Sequence, residues 1–220
     1  MGKMNVNIIS NRIIKAVGYP IYDKKFKLTT INSELIPEGE AKLFAGNHRH
    51  KLDQLSVIRS CRELIYWIAK SEYSNGKDAF FSPKTDNEMI LKICSLVQKP
   101  LLNASGIVYV DRQGDTNEAL NKSIELLKSG YNVGISPEGT RMPKELRDKE
   151  DLLSFKTGAV RIAQASDCII TPYAVDKAYE EHRDDPKIIY GESFKVNDVS
   201  VEEGTRQLRE AVKELYLKIK

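Results

Sequence analysis

Apolar and polar positions follow two different rhythms along the chain. Near its start, Val6, Ile9, Ile13 and Val17 recur at steps of three and four, with Ile14 beside them and Asn7, Asn11, Arg12 and Lys15 on the remaining face. That is the pattern of an amphipathic helix. Farther on, the rhythm shifts to short apolar runs: residues 41–45, 64–68, 107–110, 132–135 and 168–171 are four or five residues each and end at polar residues, Gly or Pro. These runs predict strands. Between them, Asp115 or Thr116 caps a run with Ala119, Leu120, Ile124 and Leu127 on one face, and Gly130 stops it. Further helices are expected over 53–63, 86–97, 155–165 and 201–217. Such alternation defines an α/β chain, and the strand–helix–strand unit over 107–135 predicts two parallel strands whose C-terminal ends point the same way. The highly charged stretch 176–186 reads as an excursion without a functional sign.

At 220 residues the chain is one domain of ordinary size with room for a small appendage. Hydrophobic residues make up 41% and charged residues 30%, enough apolar material for a core and too much for a disordered chain. No stretch approaches the ~18 unbroken apolar residues of a transmembrane helix. Lys and Arg number 34 against 31 Asp and Glu, a net +3, which argues against nucleic acid as a partner. The distribution is more informative. Residues 1–30 hold six basic residues against Asp23 alone, a net +5, so the rest of the chain carries −2. A basic amphipathic helix either packs on the domain's own core or lies on a membrane surface. The segment lacks the apolar h-region and cleavage site of a secretory signal, so a cytoplasmic protein is expected. Cys61, Cys94 and Cys168 form no C-x-x-C pair and read as buried thiols without chemistry or metal.

The most unusual polar residues follow expected strands: Asn47 through Asp53, Asp111-Arg112, Ser136 through Arg141, and Thr171-Pro172. Ligands of open α/β sheets bind beyond the carboxyl ends of the strands, so the four segments point at one cleft. His48 and His50, two of the three histidines, lie within six residues of Asp53. Imidazole beside a carboxylate is the usual general base for a hydroxyl proton. On a regular helix His50 and Asp53 would be neighbours, whereas His48 reaches Asp53 only if a turn before the helix folds it back. Spacing leaves both open. Arg112 after a strand and Arg141 beside a Gly turn are forks suited to a phosphate.

Together these segments resemble the four motifs of the glycerolipid acyltransferases that include 1-acyl-sn-glycerol-3-phosphate acyltransferase. The pattern N-H-x-S-x-x-D is matched by Asn47, His48 and Asp53, and G-hydrophobic-x-F/Y-hydrophobic-x-R by Gly106 to Arg112. F-P-E-G-T-R is matched by Ser136, Pro137, Glu138, Gly139, Thr140 and Arg141, and a V-P-V-like segment by Ile170 to Val175. Order and spacing agree over about residues 40–175. The chain departs from the pattern at His50, where the family usually has Ser, at Ser136 in place of an aromatic or aliphatic residue, and at Thr171 in place of Val. These departures bear on substrate preference more than on chemistry.

The resemblance implies direct acyl transfer, with His48 as base and Asp53 orienting it. The acyl group would move from acyl-CoA or an acyl carrier protein to the sn-2 hydroxyl of a lysophospholipid, giving phosphatidic acid, with no bound cofactor or metal. Asn47, Arg112, Glu138, Gly139, Thr140 and Arg141 would hold the acceptor, with Lys70 and Lys156 as further candidates for its anionic pocket. Gly134-Ile-Ser136-Pro-Glu138 breaks the G-x-S-x-G nucleophile elbow, so Ser136 is not expected to form an acyl-enzyme. Lipid substrates favour membrane contact by the basic N-terminal helix, each Lys or Arg near an anionic surface contributing about 1 kcal/mol. The expected architecture is a three-layer α/β/α fold with a central, largely parallel mixed sheet. Residues 1–38 form a membrane-contacting segment and 39–220 the acyltransferase domain, peripheral on the cytoplasmic face of the membrane. Rival readings are an acyltransferase acting on glycerol-3-phosphate or another lysophospholipid, a non-catalytic phospholipid-binding module, and a soluble hydrolase using water as acceptor.

Overall fold

The computed structural model describes residues 19–61, 63–70, 107–110, 116–147, 149 and 151–220. The amphipathic pattern over 6–17, the helix expected over 86–97, and Arg112 lie outside the described residues.

Among the described residues, seven strands form one sheet in the order β1-β7-β6-β2-β5-β3-β4. They are β1 (Thr29–Ile31), β2 (Lys42–Gly46), β3 (Ile65–Lys70), β4 (Ile107–Val110), β5 (Asn132–Ile135), β6 (Ile169–Val175) and β7 (Lys187–Tyr190). Every neighbouring pair is parallel except β6 and β7. The helices are α1 (Tyr19–Lys25), α2 (Asp53–Cys61), α3 (Thr116–Lys128), α4 (Gly158–Ser166) and α5 (Val201–Leu217). The expected strand–helix–strand unit is present as β4-α3-β5. Its two strands are both parallel to β3, which lies between them.

Side chains on a strand alternate between faces, and both faces of this sheet are covered. Leu43 and Ala45 of β2, with Val133 and Ile170, pack against Ala119 and Leu127 of α3, Val160 and Ala163 of α4, and Leu208 and Val212 of α5. Phe44, between them in sequence, points the other way and joins Ile65, Trp67, Tyr173 and Tyr190 beneath Val57 of α2. Burial on both faces is the usual condition of a parallel sheet, and here it gives the three expected layers.

Sequence periodicity missed two strands. β1 is a three-residue strand with two threonines, and β7 follows the charged stretch 176–186; both become strands by pairing with each other and with β6. β6 runs four residues past the expected end at Thr171, through Pro172, whose missing N–H normally bars it from a sheet interior. The carbonyl of Pro172 is still used, accepting from Gly191 N at 2.9 Å. Within the segment expected to face the membrane, residues 19–38 contribute α1 and β1 to the sheet domain. Tyr22 of α1 is buried against Ser56 and Tyr179. Among the described residues, no helix is long and apolar enough to cross a membrane.

Candidate active site

The central strands place the motifs side by side. β2 pairs with β5 (Ala45 opposite Ile135) and with β6 (Gly46 opposite Tyr173). All three strands run the same way, so the loops leaving them at 47, 136 and 176 emerge at one sheet edge. Gly46 allows the approach: a Cβ there would collide with the Tyr173 carbonyl oxygen and ring.

Asn47 continues the β2–β6 pairing with its side chain. Its Nδ2 donates to Val175 O at 2.9 Å and its Oδ1 accepts from Val175 N at 2.8 Å. With each end of its amide bonded to backbone, Asn47 holds the loop to the sheet. His48 follows, with both backbone groups tied to the neighbouring loop. Its N–H donates to Glu138 Oε2 at 3.0 Å and its carbonyl accepts from Met142 N at 2.9 Å.

The choice between the histidines is made by the turn before α2. Asp53 is the first residue of that helix and is 1% exposed. Its Oδ2 accepts from the backbone N–H groups of Arg49 (2.7 Å) and His50 (2.6 Å), so the chain curls around the carboxylate. That curl brings His48 Nδ1 to 3.1 Å from the same oxygen. Among the described residues Nε2 of His48 has no hydrogen-bond partner, and the side chain is 11% exposed. The ring is therefore oriented from one side and open on the other. His50 faces elsewhere. Its Nδ1 accepts from Leu52 N at 3.3 Å and its ring lies 5.3 Å from that of Tyr179. Burial holds His50 below the usual imidazole range, with Lys51, Arg141 and Arg147 adding to the effect and Asp53 opposing it.

Glu138 is a buried brace. It accepts from His48 N and, through Oε1, from Leu153 N at 3.1 Å. Burial pushes its carboxyl up to about 7, against the stabilising pull of those two N–H groups. Gly139 turns the chain at φ +70°, its N–H donating to Ser136 O at 2.9 Å. A Cβ on Gly139 would meet Lys156 Cε at 3.0 Å, which places the Lys156 side chain across the turn. Thr140 is exposed and Arg141 half-buried, and the hydrogen bond from Met142 N to His48 O sets the Arg141 backbone beside the turn that carries both histidines. Lys70 closes β3.

Arg49, unremarked in the sequence, is almost wholly buried. Its Nε and Nη2 both donate to Glu180 Oε2 at 3.2 Å, Nη1 donates to Asp151 O and Nη2 to Arg147 O. The guanidinium also lies 5.3 Å from the Tyr216 ring centre. Glu180 comes from the charged stretch that carries no functional sign in the sequence, and it additionally pairs with Arg147 at 3.3 Å. No local signal marks this contact, because its partners are separated by 131 residues. A separate cleft of about 560 Å³, lined by Asp23, Phe26, Arg59 and Cys61 among others, includes neither His48 nor Asp53.

Comparison with known proteins gives one family match and a likeness of fold. The family model described as Acyltransferase matches residues 86–176, which include Glu138, Gly139, Thr140 and Arg141 but not the His48–Asp53 pair. The hydrogen bond from His48 N to Glu138 joins the two parts. No curated protein sequence matches the chain. Among solved structures the chain resembles the crystal structure of the 1-acyl-sn-glycerophosphate (LPA) acyltransferase, PlsC, from Thermotoga maritima. The TM-score is 0.69 at 20% identity, over 96% of this chain and 80% of that one. Residues 86–176 are thus similar to the acyltransferase family, and the fold is that of the solved lysophosphatidic acid acyltransferase.

Proposed function

We propose that the protein transfers a fatty acyl group from a thioester, acyl-CoA or acyl carrier protein, to the sn-2 hydroxyl of 1-acyl-sn-glycerol-3-phosphate. The observation that carries this reading is the His48–Asp53 pair, held by backbone donors and linked to the family motif through Glu138. With Nδ1–H directed at Asp53, the Nε2 lone pair of His48 takes the proton of the acceptor hydroxyl. The oxygen attacks the thioester carbonyl, the C–S bond breaks, and the proton passes from the imidazolium to the departing thiolate. Asp53 stabilises the imidazolium without taking the proton. Arg141, with Arg112, holds the acceptor phosphate, and Lys156 supplies charge at its rim. No metal or bound cofactor enters this sequence of steps. The lipid acceptor places the enzyme on the cytoplasmic face of an anionic membrane, which the basic N-terminal segment contacts.

The test is product identification with purified protein, both thioester donors and a panel of lyso-acceptors. Phosphatidic acid is expected from wild type, and His48→Ala is expected to lower kcat by about 10²–10⁴-fold, the usual contribution of a general base. Undiminished transfer by His48→Ala would sink the mechanism. Free fatty acid without lysophospholipid would indicate a hydrolase, and vesicle binding without thioester consumption a non-catalytic module.

A further inference from the structure

His48 and His50 are two residues apart, yet their surroundings hold them in opposite tautomers. His48 Nδ1 faces a carboxylate oxygen, which can only accept, so the proton sits on Nδ1 and the lone pair on Nε2. His50 Nδ1 faces the backbone N–H of Leu52, which can only donate, so the lone pair sits on Nδ1 and the proton on Nε2. To act as a base His50 would have to give up the Leu52 hydrogen bond. The first imidazole is built to accept a proton and the second to donate a hydrogen bond.

The surroundings of His50 indicate what it donates to. Its ring rests on Tyr179, at 5.3 Å and 31° between planes, and the Tyr179 hydroxyl is itself anchored to Ser56 at 2.7 Å and to Tyr22 of α1. Two helices, α1 and α2, thus hold the platform through Tyr22 and Ser56. The ring is only half-buried and feels the charges of Lys51, Arg141 and Arg147, with Asp53 as the opposing carboxylate. Lys51 is the adjoining residue, and the Met142 N–H bond to His48 O keeps Arg141 beside the same turn; positive charge next to a neutral N–H donor attracts an anion. His50 also occupies the Ser position of the motif that this segment resembles; a hydroxyl and an imidazole Nε2–H are both neutral donors, and the imidazole reaches farther.

We propose that His50 is a specificity-determining residue for the acceptor, donating its Nε2–H to an oxygen of the acceptor's phosphate monoester beside Arg141, with Arg147 as a further source of positive charge. This rests on the acyl-transfer reading above and extends it to a residue outside the base–acid pair. A donor aimed at phosphate is left unpaired by acceptors that lack one, so it discriminates against neutral lyso-acceptors.

Calorimetric binding of sn-glycerol 3-phosphate tests this without turnover. His50→Leu should weaken binding about tenfold or more, as expected for a lost hydrogen bond to a charged group. His50→Gln, whose amide N–H can substitute for Nε2–H, should stay within about threefold of wild type, and coenzyme A affinity should change in neither. Equal affinity in His50→Leu, loss of coenzyme A binding in its place, or no binding of glycerol 3-phosphate by wild type overturns the proposal. In turnover, the acceptor KM of His50→Leu should rise by a larger factor than kcat falls, while a collapse of kcat like that of His48→Ala makes His50 a base and overturns it. If wild type shows no transfer, the acyl-transfer reading fails while the binding measurements still decide the donor role. Should His50→Leu not fold, long-range proton–nitrogen NMR of the unaltered imidazoles reads the tautomers directly. His50 protonated on Nε2 is expected, and protonation on Nδ1 overturns the assignment.

Discussion

Replacing Glu180 by Gln removes the charge that neutralises Arg49 and leaves nearly everything else in place. The Arg49 side chain is 1% exposed and that of Glu180 5%, so water cannot substitute for the lost carboxylate. Removing one partner of a buried pair costs about 3–5 kcal/mol. Gln retains one oxygen to accept from Arg49, which places Glu180→Gln near the lower end, about 3 kcal/mol, or two orders of magnitude in the folded-to-unfolded ratio. The simultaneous loss of the Arg147 pair adds little, since Arg147 is 28% exposed and its Nε lies within ion-pair distance of Glu180 without hydrogen-bond alignment. Urea unfolding of wild type, Glu180→Gln and a double variant, Arg49→Met with Glu180→Leu, measures the effect. The double variant should lose less than the single one, because no buried charge remains. Arg49 N is one of the donors to Asp53, so kcat of Glu180→Gln should fall about tenfold to a hundredfold at a temperature where the protein is still folded, the penalty for a misplaced base. A stability change under about 1 kcal/mol, the range of exposed ion pairs, together with unchanged kcat, would refute the clamp.

Two further expectations concern the neighbouring loop. Glu138, with its folded pKa raised to about 7 from 4.5, favours the folded state most below about pH 4.5 and loses that contribution as pH rises through about 7. The stability of wild type should therefore decline relative to Glu138→Gln between about pH 5 and pH 8, and thermal melts of both across that range should show the melting-temperature difference, wild type minus variant, falling as pH rises. Gly139→Ala forces a side chain onto a φ of +70° beside Lys156. It should cost about 1–2 kcal/mol in denaturant unfolding, whereas Gly139→Asn, better tolerated at positive φ, should cost less.

Strands β2, β3, β4 and β5 and helices α3 and α5 were legible in the chain because each is announced by a local period and a local stop signal. α4 begins three residues later than its pattern, at Gly158. The outer part of the sheet was illegible for a corresponding reason: Thr29–Ile31 and Lys187–Tyr190 carry too little local signal and are strands because they pair with each other and with β6. The site divides in the same way. Residue types and their order placed His48, Asp53, Glu138 and Arg141 in one cleft, but spacing could not choose between His48 and His50, because the deciding feature is a turn wound around one carboxylate oxygen.

What the sequence determined alone, then, is the α/β class, most of the central strands and the chemical groups at their ends, all properties of residues close together along the chain. Tertiary structure decided the link from His48 N to Glu138, the pairing of Asn47 with the Val175 backbone, and the burial of Arg49 against Glu180. Those outcomes depend on partners brought together by strand order across 90 to 131 residues. A buried polar group takes its role from whatever donor or acceptor the fold sets against it, and no local pattern specifies that partner.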